Sequence, residues 1–85
     1  MNASYRLTAH AELEMHRRQI PHAWLDACMQ SPEQITEGSG HRKIFQSRFT
    51  QDGKVFLLRV VVETWQEPPV VVTLYRTTKL EKYLE

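Results

Sequence analysis

The side chains in this sequence that could do chemistry fall mainly in one basic stretch and a few isolated positions. Residues 41–60 hold Arg42, Lys43, Arg48, Lys54 and Arg59 against the single Asp52. A localised basic surface attracts phosphate even when the whole molecule is nearly neutral, and the net charge of the full chain is only +1 against +4 in this stretch. The plainer alternative is a solvated strand face. Arg59 differs from the others because it lies inside the apolar run between Leu57 and Val61. Ordering and desolvating a guanidinium there is costly, so an anionic partner is expected. A local pair with Glu63, or a side chain reaching solvent across Leu57, is the structural alternative.

The histidines do not form a metal-ligand pattern. His10, His16 and His22 are six residues apart, which does not place neighbours on one helical face as a spacing of three or four would. His41 stands alone beside a glycine-rich turn. There is no HExxH motif and no cysteine pair, so neither a metal site nor a cofactor is expected. Cys28 falls on an apolar helix face, where a thiol is inert. As the one cysteine in the chain it cannot close an intramolecular disulfide, which fits a reducing compartment. His10 lies in the first turn of the first helix, two residues after Thr8, and on residue type alone it is an ordinary, partly exposed helix histidine.

These groups must be positioned by a small scaffold. Eighty-five residues allow one domain, spanning 1–85. A chain of this size buries only about 60–65% of its unfolded surface, so chemistry is expected on an exposed face or shallow groove. Thr8 is a plausible N-cap for a first helix, although Ala11 stands where a capping box needs Glu or Gln. Pro21 ends that helix near Arg18 or Gln19 and suits the first turn of a second, His22 to Gln30. Ile20, Trp24, Ala27 and Cys28 then share a face assigned to the core.

After Ser31-Pro32 the period changes to two. Gln34 to Glu37 reads as a short strand ended by Gly38-Ser39-Gly40, and residues 42–50 alternate up to Asp52-Gly53, a two-residue hairpin signal. With that turn, Phe49 faces Phe56, Ser47 faces Leu58 and Phe45 faces Val60. On the other face Arg48 meets Leu57, Gln46 meets Arg59, Ile44 meets Val61 and Arg42 meets Glu63. Thr64 to Pro69 is a loop. Val70 to Arg76 is a further strand, with Val70, Val72 and Leu74 on one face and Val71, Thr73 and Tyr75 on the other, and Thr77 to Glu85 ends as a short frayed helix. The fold class is α+β, two N-terminal helices packed on one face of a four-stranded antiparallel meander. The uncovered face would then gather Arg42, Gln46, Arg48, Arg59, Thr73 and Tyr75, a surface suited to phosphate.

The residues Thr8-x-His10-Ala11, Met15, Arg18-x-Ile20, Ser31-Pro32, Arg59-Val60-Val61 and Val72-Thr73-x-Tyr75, in that order, resemble the DUF4258 family of domains of unknown function over about residues 5–76. That family is similar to small toxin-like folds that include RelE-type and barnase/colicin-type ribonucleases. The resemblance implies a metal-independent endoribonuclease acting as the toxin of a toxin–antitoxin pair. It implies His10 as acid or base, Arg59 as charge stabiliser, and Thr73 and Tyr75 in orientation or proton transfer. Arg18, Arg42, Gln46 and Arg48 would hold RNA, although Arg18 serves as well as an anchor for the turn between the helices.

RNA is thus the expected partner, together with an acidic antitoxin protein. A non-catalytic RNA- or protein-binding module on the same basic face is the alternative, and an interaction protein anchored by Trp24 or Trp65 is a third. The N-terminal residues lack the apolar core of a secretory signal and no apolar run nears the roughly 20 residues of a membrane span, so a cytoplasmic protein without membrane contact is expected. One geometric condition follows. His10 can share the site with Arg59 only if the first helix begins at the rim of the sheet.

Overall fold

Thr8 does two jobs where the chain turns into its first helix. Its Oγ1 accepts a hydrogen bond from the Ala11 amide at 3.0 Å, the expected cap, and donates to the Val72 carbonyl at 2.9 Å. The helix start is thereby tied to a strand distant in sequence.

The computed structural model describes residues 4–84. Along the chain run β1 (Arg6–Leu7), α1 (Ala9–Arg17), α2 (His22–Gln30), β2 (Gln34–Glu37), a 3-10 turn (Ser39–His41), β3 (Lys43–Gln51), β4 (Lys54–Glu63), β5 (Val70–Thr77) and α3 (Leu80–Tyr83). The class is α+β, with a five-stranded mixed sheet in the order β1-β5-β4-β3-β2. Strands β2 to β5 form the expected antiparallel meander. The fifth strand, β1, corrects the four-stranded reading. Its two residues pair parallel with β5, and two residues are too few to show any period. Its bonds lie at the strand ends, from the Arg6 amide to the Pro69 carbonyl at 2.9 Å and from the Thr8 amide to the Val71 carbonyl at 3.1 Å.

The Asp52-Gly53 turn has φ of 53° and 75° at its two residues. Both lie in the left-handed region that a two-residue primed turn requires. The resulting pairs include Phe49 with Phe56, Ser47 with Leu58, Phe45 with Val60 and Gln46 with Arg59. Arg42 and Glu63 lie just beyond the ladder and meet through their side chains.

Helices α1 and α2 cover one face of this sheet. Ala11, Met15, Ile20, Leu25, Cys28 and Met29 pack with Leu58, Val60, Val62, Val71 and Leu74 in the core. The buried stripe of α2 is rotated from the expected one, since Leu25, Cys28 and Met29 are inside while Ala27 is exposed. Trp24 stays half-buried at the edge and stacks on Phe49 with ring centroids 4.9 Å apart. A bulge between Val61 and Val62 breaks the alternation of β5, so Val71 joins Leu74 in the core rather than facing away from it.

The dual role of Thr8 gives a test. Thr8→Ala should lower stability by about 1–2 kcal/mol in urea unfolding, while Thr8→Ser keeps most of it.

Candidate functional site

β4 is the central strand of the sheet, and the register lines up one polar row across four strands. Gln34 pairs with Gln46, Gln46 with Arg59, and Arg59 with Tyr75. All four point away from α1 and α2, and their side chains join in sequence. Arg59 donates from Nε to Gln46 Oε1 at 2.9 Å and from Nη1 to the Tyr75 hydroxyl at 2.6 Å. Gln46 donates from Nε2 to Gln34 Oε1 at 2.7 Å and to the Tyr83 carbonyl at 3.2 Å.

The face expected to be open is partly covered. The C-terminal turn α3 crosses it, and the Arg59 guanidinium carbon lies 4.0 Å from the centroid of the Tyr83 ring. The Tyr75 and Tyr83 rings meet edge-on at 6.3 Å. Tyr83 went unnoticed in the sequence because nothing in Thr77 to Glu85 shows which face a single helical turn presents; Glu85 itself lies outside the described residues.

His10 meets the rim condition. Its Nε2 is 3.1 Å from Thr73 Oγ1, because α1 begins at the β5 side of the sheet where Thr8 is tied down. Thr73 and Tyr75 are two residues apart on β5, so they project from the same face about 7 Å apart along the strand. The four proposed catalytic residues therefore form two bonded pairs on that face, His10 with Thr73 and Arg59 with Tyr75.

The proposed RNA-holding residues are arranged differently. Gln46 has no exposed surface and serves to hold Arg59, since the strands on either side and α3 enclose it. Arg48 pairs with Glu33 at 2.8 Å, Arg42 with Glu63 at 2.8 Å, and Lys43 with Glu37. Arg18 pairs with the buried Glu14 at 2.8 Å at the end of α1, in keeping with an anchor for the helix turn. The positive charge counted over residues 41–60 is thus largely compensated by glutamates elsewhere in the chain. Exposed Lys54 has no carboxylate partner among the described residues, and neither, of the stretch's three arginines, has Arg59. Half-buried, it meets no carboxylate among the described residues, and its Nη2 makes no hydrogen bond among them.

Titration behaviour follows these contacts. Burial raises the Tyr75 pKa above the usual phenol value, against the lowering effect of the Arg59 charge. The hydrogen bond from Tyr75 lowers the Tyr83 pKa, aided by Lys82 and Arg59. Burial pushes the Cys28 thiol up to about 11, away from the thiolate.

A family model described as Domain of unknown function (DUF4258) matches residues 7–76, which contain both bonded pairs and end before α3. No curated protein and no solved structure matches the chain.

The paired glutamates predict an acid transition. Arg48 lowers the Glu33 pKa and Arg42 lowers that of Glu63, in each case chiefly through a side-chain hydrogen bond. Their folded pKa values lie below the ordinary 4.5, so their stabilisation is fully present above that pH and is lost as pH falls through the folded values. Urea midpoints should be flat from pH 7 to 5 and drop below about pH 4.5, and Glu33→Gln with Glu63→Gln should flatten that drop.

Proposed function

The chain belongs to the DUF4258 family, and from that premise we propose that it is a toxin-type endoribonuclease that needs no metal ion, with its site on the sheet face opposite α1 and α2. One observation carries this reading. Arg59 is a half-buried cation on the central strand that neutral acceptors and aromatic rings hold in place and no carboxylate compensates among the described residues. Arg18, Arg42 and Arg48 each have a glutamate. A phosphodiester would supply the missing anion.

The groups around Arg59 suit transfer of a phosphodiester to the neighbouring 2′-hydroxyl of RNA. The 2′-oxygen bonds to phosphorus as its proton passes to a base, and the bond from phosphorus to the 5′-oxygen breaks as that oxygen takes a proton. His10, oriented by Thr73, acts as the base. Tyr75, hydrogen-bonded to the Arg59 guanidinium, serves as the donor on that side. Arg59 neutralises the charge gathering on the phosphorane oxygens. Imidazole, phenol and guanidinium together cover these proton and charge demands. An acidic antitoxin docking over Arg59 would block the same face.

A second reading is favoured by the contacts of Arg59 itself. Two of its nitrogens are bonded and its plane rests near Tyr83, which suits a module that binds RNA or a partner protein without cleaving it. Induced expression separates the two. The intact chain should arrest growth and degrade cellular RNA, and Arg59→Ala, which leaves the apolar core untouched, should relieve both while remaining soluble and folded. With purified protein, Arg59→Ala should lower cleavage by at least about 100-fold and His10→Ala by about 100-fold. Binding of RNA by the intact chain without cleavage would contradict the enzyme and leave the binding module.

A further inference from the structure

A cleft of about 530 Å³ opens between the edge strand β2 and α3, lined by Ile35, Thr36, Glu37, Arg59, Lys82 and Tyr83. Its volume is in the range that holds a small ligand. Two cations, Arg59 and Lys82, contribute to the wall, and neither meets a carboxylate among the described residues. Glu37, the one carboxylate of the lining, is already held by Lys43 and does not cancel them. The Tyr83 ring gives the cleft an apolar, planar side, whereas Ile35, paired with Phe45, turns its side chain towards the helix face. The Thr36 hydroxyl is buried and is the one such side-chain atom without a hydrogen-bond partner among the described residues.

We infer that this cleft binds one nucleoside-phosphate unit, with its phosphate at Arg59 and Lys82 and its base against Tyr83. The inference rests on the reading of Arg59 as the phosphate-holding residue, and it adds the direction of approach and the ligand class. A cationic end beside an apolar, aromatic wall matches a ligand that is an anion at one end and a flat ring at the other. Bare phosphate would leave the Tyr83 ring unused, and an apolar molecule would leave both cations unpaired. Stacking on a tyrosine is tolerant of base identity, so the cleft should accept several bases. A ligand oxygen reaching the Thr36 side would also give that hydroxyl its partner. Lys82 and Tyr83 both lie beyond residues 7–76, so this half of the cleft is contributed by a part of the chain outside the family match.

The experiment is an amide NMR titration of the full chain with each nucleoside 5′-monophosphate, with inorganic phosphate, and with a short single-stranded oligoribonucleotide. The nucleotides and the oligoribonucleotide should give saturable shifts at Ile35, Thr36, Lys82 and Tyr83, and inorganic phosphate should bind at least fivefold more weakly. Lys82→Ala, on an exposed turn, should weaken nucleotide binding at least fivefold, and Thr36→Val about twofold. Absence of saturable shifts, shifts elsewhere only, affinity unchanged in Lys82→Ala, or inorganic phosphate binding as tightly as a nucleotide would each overturn the inference. Nucleotide binding in the cleft by a chain that leaves RNA intact would support the cleft and remove the ribonuclease. RNA cleavage with no shift in the cleft would do the reverse.

Discussion

The register of the β3–β4 hairpin is the constraint on which this molecule depends. Arg59 sits between Leu58 and Val60, both fully buried under α1 and α2. A slip of one residue would turn the guanidinium into that core and expose the apolar set to water. The Asp52-Gly53 turn fixes the alignment, and the contrast between the two faces reinforces it, since Phe45, Phe49, Leu58 and Val60 can be satisfied only on the helix side. The polar row Gln34, Gln46, Arg59 and Tyr75 is then a necessary product of the same pairing.

Within that row, the choice of partners for Arg59 sets its chemistry. A buried glutamate beside it would have made a closed ion pair, as Glu63 does for Arg42. Gln46 and Tyr75 instead accept its hydrogen bonds without removing its charge, and the Tyr83 ring offers its π face. The guanidinium is fixed in direction but remains a cation, the arrangement that favours an incoming oxyanion. Thr8 brings the His10 imidazole to the same side by tying the start of α1 to β5, so that it reaches Thr73. One threonine thus links the helix cap, the strand edge and the placement of the imidazole.

Much of this was legible in the sequence because local rules decided it. Thr8, Pro21 and Asp52-Gly53 each act within a few residues, and they mark the helix start, the helix break and the hairpin register correctly. The charge pattern was not legible in the same way. Arg48 and Glu33 are separated by 15 positions and Arg42 and Glu63 by 21, so a window over residues 41–60 counts the arginines and misses their partners. β1 escaped notice because two residues carry no period and take their place only from the edge of β5. The β5 bulge moved Val71 into the core through a change in pairing that no alternation rule contains. Tyr83 and Lys82 belong to a single helical turn whose orientation depends on Arg59 and Gln46, residues that lie far earlier in the chain. No helix of the described residues is long and apolar enough to cross a membrane.

The central claim is that Arg59 is held as a cation so that an RNA phosphate can take the place of its missing carboxylate. The most direct measurement is ³¹P NMR of a short single-stranded RNA incubated with the purified chain and, in parallel, with its Arg59→Ala variant. The account predicts a new 2′,3′-cyclic phosphate resonance with the intact chain alone, unaffected by a metal chelator. RNA that remains uncut with the intact chain, or is cut equally by the variant, would contradict it.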